Sequence, residues 1–296
     1  MLLDKAMNRL IGRHEVLRTR FERLPGMEVP VQVIGSNGHS NVSLVEASNG
    51  EVEQREGGLE KALLVRRGVE QHELRLSISA LCADLWSVEN IVRELAELYE
   101  SNAQLNEVIQ YADFAEWQNR LIESEDKQDE RQYWLDQKEK LPAPVVLPLE
   151  SGAGSRSRRV LSWEIDAAKM ERVRSLAGAE NSSVEAVLLA CWQALLWRLS
   201  EQPDILVEVS FDGRKFEYLQ PALGLFSKYL PISSHFENSF HIGDILRQLS
   251  GALSSAQKRQ APQPARSVLR SSSSTAWSAR SCRRWSAPSR SRSSRR

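Results

Sequence analysis

Between Leu74 and Glu100 the chain reads LRLSISALCADLWSVENIVRELAELYE, and no other stretch limits the possible fold as much. Apolar and polar residues alternate in its first part, as in a half-buried strand. From Asp84 onward Val88, Ile91, Val92, Leu95 and Leu98 recur at helical spacing. A strand is therefore expected to run into a helix through a turn carrying Ser79, Cys82 and Asp84. Side chains at such a turn project from rigid supports, so Ser77–Ser87 is the first place to look for chemistry.

The flanking sequence supplies the elements this unit needs as neighbours. Leu2, Leu3, Ala6, Leu10 and Ile11 share one helical face. Val16–Leu24, Val29–Ile34 and Val42–Glu46 read as strands around the turn dipeptide Pro25-Gly26, and Ala62–Val65 with Gln71–Ser79 completes a β-meander. Amphipathic helices are expected over Tyr111–Glu123 and about Asp126–Leu141, the second ended by Pro142 and Pro144. Beyond a linker, the pattern gives a strand (Val160–Ile165), helices (Ala167–Ala177 and Ser183–Leu199), strands (Ile205–Phe211 and Phe226–Ile232) and a last helix (His241–Lys258). Strands and helices thus alternate in two halves, an α/β architecture of two lobes. The divisions are residues 1–145, a linker at 146–158, residues 159–260 and a tail at 261–296.

Composition excludes several classes. After Gln260 there are nine arginines and no acidic residue, so the neutral whole conceals a body with a net charge of about −9. An acidic body lacks the basic face that phosphate binding needs, which argues against a nucleic-acid partner. Cys82, Cys191 and Cys282 are odd in number and widely spaced, so neither a disulfide framework nor a zinc site is supported. No apolar run reaches membrane-spanning length and the N-terminus lacks a secretion signal, which leaves the cytoplasm as the expected address.

Four motifs, in order, carry a family resemblance. Arg13–Phe21 reads RHEVLRTRF and is nearly identical to the RHExLRTxF motif of condensation domains of nonribosomal peptide synthetases. Tyr111–Gln118 reads YADFAEWQ and resembles that family's YxDFAxWQ, and Tyr133-Trp134 suits the YW that follows. Gly213-Arg214, Leu223-Gly224-Leu225-Phe226 and Leu230-Pro231 resemble its GR…xGxF…LP segment. The resemblance implies a two-lobed chloramphenicol-acetyltransferase-like fold, each lobe a mixed sheet with packed helices. It also implies a tunnel where carrier proteins deliver phosphopantetheine-tethered groups for amide formation, adenylation domains being further partners. No cofactor is expected on the chain itself.

The family's active-site motif, HHxxxDG, is degenerate here. The corresponding residues are Ser79, Ala80, Leu81, Cys82, Ala83, Asp84 and Leu85, so Ala80 stands where the resemblance puts the working histidine. An alanine cannot transfer a proton, and positioned acid/base groups typically contribute about 10²–10⁴-fold. The resemblance assigns Asp84 a structural pairing with an arginine of the RHExLRTxF segment, with Arg18 as first candidate and Arg13 as second. Lys228 and Tyr229 stand where the family usually has Asn and Thr, a second departure on the other tunnel wall, where Gly213, Arg214, Gly224 and Phe226 are retained.

A non-catalytic module that binds carrier proteins or serves as an adaptor is the leading expectation, with an amide-bond-forming acyltransferase lacking the usual histidine as the alternative. Ser79 and Cys82 suggest a nucleophile, but Cys82 lies between Leu81 and Ala83 and reads as a small buried hydrophobe. The histidines fall at no metal-ligand spacing. The resemblance further implies that the domain is incomplete at both ends. The family's first motif would precede Met1, and the Ser/Arg-rich tail reads as disordered or frameshift-derived sequence; RNA binding through that tail is the weakest reading.

Overall fold

A computed structural model describes residues 2–27, 29–36, 43–46, 59–69, 71–101, 105–123, 132, 136, 140–148, 164–258 and 276–277. The expected helix about Asp126–Leu141 lies outside the described residues, apart from Gln132, Asp136, Lys140 and Leu141. Of the expected strand Val160–Ile165, only Glu164 and Ile165 are described, and they are irregular.

The first lobe is built on a helix pair. Helix α1 (Leu2–Arg13) turns Ala6, Met7, Leu10 and Ile11 inward, and α2 (Leu85–Glu100) sets Ile91, Leu95 and Leu98 against them. The chain then differs from the sequence expectation. Glu15–Arg18 is one turn of 3-10 helix, and strand β1 begins only at Thr19 (Thr19–Glu22). Val16 and Leu17 are both buried, which an alternating strand would not allow, and Thr19 Oγ1 donates to Glu15 O at 2.9 Å to close the turn.

Strand β1 pairs antiparallel with β2 (Val31–Ile34). Next come β3 (Ser43–Glu46), β4 (Leu59–Arg66) and β5 (His72–Ile78) in one sheet. The expected meander is not what forms: β3 and β4 run parallel, which requires a crossover between them, and only β4 and β5 are antiparallel neighbours. Helix α3 (Tyr111–Glu123) follows.

The second lobe has its own core. Helix α4 (Ala167–Ala179) is capped by Asp166 and α5 (Val184–Ser200) by Ser183, each side chain accepting from a backbone N–H of the first turn. Helix α5 is apolar nearly all round and buries Ala186, Val187, Leu189, Ala190 and Leu196 against α6 (Ile242–Lys258) and the sheet. In that sheet β6 (Asp204–Phe211) pairs antiparallel with β7 (Lys228–His235) along its whole length. Val145 and Leu147, at the edge of the expected linker, pack on this core. Ala276–Trp277 forms a two-residue strand, β8, parallel to Glu208 and Val209 of β6, and the other residues of the expected tail lie outside the described residues.

A third cluster joins the lobes. Phe114 of α3 packs with Leu219, Ala222 and Phe226 from the β6–β7 connection, and Tyr111 lies against it. Asp84, Gly213, Arg214, Gly224 and Phe226 sit at this joint.

Candidate functional site

Strand β5 ends at Ile78, a turn follows, and α2 starts at Leu85 with Asp84 as its N-cap. The turn closes through Cys82 N to Ser79 O at 2.9 Å, and Ser79 Oγ accepts from Leu81 N at 3.3 Å. Ala80 is at its exposed tip. Cys82 is 0% exposed, with its Sγ 3.9 Å from Thr19 O, and behaves as the buried small hydrophobe that its sequence neighbours suggest.

Asp84 is the centre of the arrangement. Its Oδ1 accepts from Ser87 N and Ser87 Oγ, both at 2.7 Å, and from Arg214 Nη2 at 3.1 Å. Its Oδ2 accepts from Arg214 Nη1 at 3.0 Å, Phe226 N at 3.0 Å and Ser227 N at 2.9 Å. Six donors surround a group with about four lone-pair sites. Burial alone would raise the carboxyl pKa, but the Arg214 guanidinium and the Ser87 hydroxyl and amide outweigh it and hold the group below the ordinary aspartate value. A carboxylate so engaged is an anchor, not a proton acceptor.

Arg214 is equally committed. Nε donates to Ala222 O at 3.1 Å, Nη1 to Asp84 and to Asp212 Oδ1 at 2.9 Å, and Nη2 to Asp84 and to Ser87 Oγ at 2.8 Å. Its Cζ lies 4.2 Å from the centre of the Phe226 ring. The bidentate fork and the stacking face both require arginine, which lysine does not replace.

The expected pairing of Asp84 with Arg18 is therefore corrected: its partner is Arg214, from the other lobe. Arg18 points away, donating through Nη1 to Gly35 O and through Nη2 to Glu15 Oε1 at 3.2 Å. The 3-10 turn sets this direction by anchoring Arg18 beside Glu15 and the end of β2. Arg13, the second candidate, is taken by Glu94 at 2.7 Å, an ion pair without an aligned hydrogen bond, and His14 Nε2 meets the same carboxylate at 2.8 Å. The RHE segment thus fastens α1 to α2.

The retained glycines fit the close approach of chain to chain. A Cβ on Gly213 would lie 2.0 Å from Phe226 O. Gly224, at φ +155°, would meet the Tyr111 ring at 2.2 Å; this ring also donates its hydroxyl to Leu225 O at 3.2 Å. Gly213, Arg214, Gly224 and Phe226 converge on Asp84 from the second lobe, as one site. Lys228 opens β7 opposite Phe211 and is half-exposed. Ser79 and Ala80 stay on the turn, outside the Asp84 network.

Sequence reasoning misses Ser87, Asn90 and Gln220. The Ser87 hydroxyl accepts from Gly224 N at 3.0 Å, and its hydrogen has two acceptors in reach, Asp84 Oδ1 and Gly224 O at 2.8 Å. Asn90 donates to Gln220 O at 2.6 Å and Gln220 to Arg214 O at 2.7 Å. Asp84 directly ahead of the helical spacing is a helix-start signal, and Ser87 is the third helical residue, whose N–H an N-cap side chain takes. Among the described residues, no three His, Cys, Asp or Glu side chains converge as a metal site, and no helix is long and apolar enough to cross a membrane.

The Condensation domain profile matches residues 1–266. The chain belongs to the condensation-domain family. It is 29% identical over 271 residues to bacitracin synthase 3 of Bacillus licheniformis, covering 87% of this chain and 4% of that protein. It is 31% identical over 242 residues to gramicidin S synthase 2 of Aneurinibacillus migulanus, covering 76% of this chain and 5% of that one. The chain thus spans a small part of the synthases it matches.

Solved structures place the fold. The condensation domain from the monacolin K polyketide synthase MokA superimposes with a TM-score of 0.75 at 19% identity, covering 88% of this chain and 65% of that one. The X-domain from teicoplanin biosynthesis does so with a TM-score of 0.72 at 21% identity, covering 87% and 63%. The fold is the two-lobed chloramphenicol-acetyltransferase-like fold of these domains.

Proposed function

We propose that this chain acts in nonribosomal peptide synthesis as a condensation-like module that binds partners without forming amide bonds. The observation that carries the reading is the chemistry of the central turn. Ala80 offers only a methyl group where the family places its working histidine, and the Asp84 carboxylate is saturated by six donors. Neither residue can take a proton from an attacking amine. A structural relative supports a binding role for such a scaffold: the teicoplanin X-domain has been solved in complex with OxyB, and that structure matches this chain with a TM-score of 0.72.

Carrier proteins with phosphopantetheine arms, and the adenylation domains of the same synthetase, are the partners this reading implies, in the cytoplasm. In this reading the lobes divide at about residues 146–158, and the surface they form together is the one presented to partners. The competing reading, an acyltransferase working by positioning alone, is separated from it by one assay. Amide formation from loaded carrier proteins is measured for the unmodified chain and for Ala80→His. The adaptor reading expects no turnover above background from the unmodified chain. Amide formation at a rate that Ala80→His does not improve would refute it.

A further inference from the structure

Three aromatic side chains stand exposed where α3 meets the segment after β6. Trp117 is 45% exposed, Phe216 43% and Tyr218 58%. They form an organised array. Phe216 and Tyr218 are stacked, with centroids 5.3 Å apart and planes 4° from parallel, and Trp117 meets Phe216 edge-on at 6.3 Å. Trp117 in turn rests on buried Phe114 at 5.7 Å, and Phe114 on Phe226 at 4.6 Å, so the platform stands on the cluster that joins the lobes. Nothing in the Asp84 network uses these outer faces.

Contiguous exposed aromatic surface on a rigid support is characteristic of interaction sites, where Trp and Tyr carry much of the binding energy. The surrounding charge indicates what would bind. Asp113 lies one turn before Trp117 on the same face of α3, and exposed Glu217 lies in the chain between Phe216 and Tyr218. Neither forms an ion pair among the described residues. The cations at this edge are already engaged, Arg120 with Glu116 and Lys215 with a partner of its own. Electron-rich ring faces beside unpaired carboxylates attract a cation, and a guanidinium suits them best because it stacks flat and is weakly hydrated. The fold uses this contact twice internally, with Arg198 over Trp197 at 4.4 Å and Arg214 over Phe226 at 4.2 Å. A nucleic acid would bring phosphates against Asp113 and Glu217, which disfavours it.

We propose that Trp117, Phe216 and Tyr218, with Asp113 and Glu217, form a docking surface for an arginine-bearing segment of a partner protein. The proposal deepens the adaptor reading by giving it a surface and a partner chemistry. It spans both lobes, so a bound partner would hold them together at the same joint that Asp84 and Arg214 close.

The test uses the full chain and a short fluorescein-labelled peptide of alternating arginine and leucine, followed by fluorescence anisotropy. A twin peptide carries citrulline, the neutral analogue, at every arginine. Binding of the arginine peptide is expected, and the citrulline twin should bind at least about tenfold more weakly. Trp117→Ala and Tyr218→Ala should each weaken binding by about tenfold, the size expected of interface anchors. Asp113→Asn with Glu217→Gln should weaken it several-fold and reduce its salt dependence. Trp117→Phe should retain most of the affinity, and the thermal unfolding of each variant checks that folding is intact. Equal binding of the two peptides, indifference to Tyr218→Ala in a folded variant, or absence of binding overturns the proposal. Concentration-dependent self-association abolished by the same substitutions also overturns it, assigning the surface to a second copy of this chain. No carrier protein is present in this measurement, so its failure leaves the adaptor reading intact. Conversely, amide formation by the unmodified chain would refute that reading without affecting peptide binding.

Discussion

Arg214 gives all five of its N–H donors to protein acceptors, and two of them reach the Asp84 carboxylate at 3.0 and 3.1 Å from across the lobe boundary. The pair is almost wholly removed from water, with side chains 1% and 2% exposed. Such a pair stabilises only if its remaining hydrogen-bonding capacity is filled, and here Ser87, Asp212, Ala222, Phe226 and Ser227 fill it. The strand-to-helix turn is a joint between the lobes in this chain.

Ser87 is central to that joint despite its size. Replacing it by alanine removes the acceptor for Gly224 N and for one Arg214 N–H, both buried, and one donor to the carboxylate. Ser87→Ala should cost about 1–3 kcal/mol, read as a lower urea midpoint with an unchanged slope. A change within a few tenths of a kcal/mol would mean that water takes over these contacts.

The Asp84 carboxyl is held below its ordinary pKa, so folding favours its ionised form. The stability it contributes is fully present above the unfolded-state value, about 4, and is lost as pH falls through the lower folded-state value. The stability advantage of the unmodified chain over Asp84→Asn should therefore be constant near neutrality and shrink progressively below about pH 4. Urea unfolding of both proteins across this range measures it. An advantage that grows on acidification would reverse the sign and contradict the geometry.

Two glycine substitutions should act in opposite directions. Gly213→Ala drives a Cβ to within 2.0 Å of Phe226 O, a backbone atom that cannot yield without opening the lobe contact. Gly251 lies within α6 with nothing within 4 Å of an added Cβ. Gly251→Ala should stabilise by about 0.5–1 kcal/mol through helix propensity alone, while Gly213→Ala should lower the unfolding temperature sharply. Thermal melts of the two variants side by side decide the matter.

Much of the first lobe is legible in the order of its residues. The spacing of Ile91, Leu95 and Leu98 announces α2, and the alternation of Leu74, Leu76 and Ile78 announces β5, because each set turns one face to the core, whereas Val88, which fits the same helical spacing, is exposed. Cys82 is recognisable as core from its apolar neighbours. Adjacent Val16 and Leu17 mislead, since two apolar neighbours fit a 3-10 turn buried on both sides as well as a strand. The partner of Asp84 is not readable, because Arg214 is 130 residues away and contact at such separation leaves no local periodicity. Gly213-Arg214 is visible as a motif, but its role depends on how the lobes close. The aromatic platform is likewise hidden: an isolated Trp117 reads as core, and only the fold shows its outer face meeting Phe216.

Nothing in the joint matters more than Asp84 and Arg214 acting as a coupled pair between the lobes. A double-mutant cycle with Asp84→Asn, Arg214→Gln and the double variant, followed by urea unfolding at neutral pH, measures that coupling directly. The geometry predicts an interaction energy of about 2–3 kcal/mol, with each single variant strongly destabilised and the double variant much less destabilised than the sum. Additive effects, with a coupling near zero, would show that the two side chains act independently and would contradict a coupled joint.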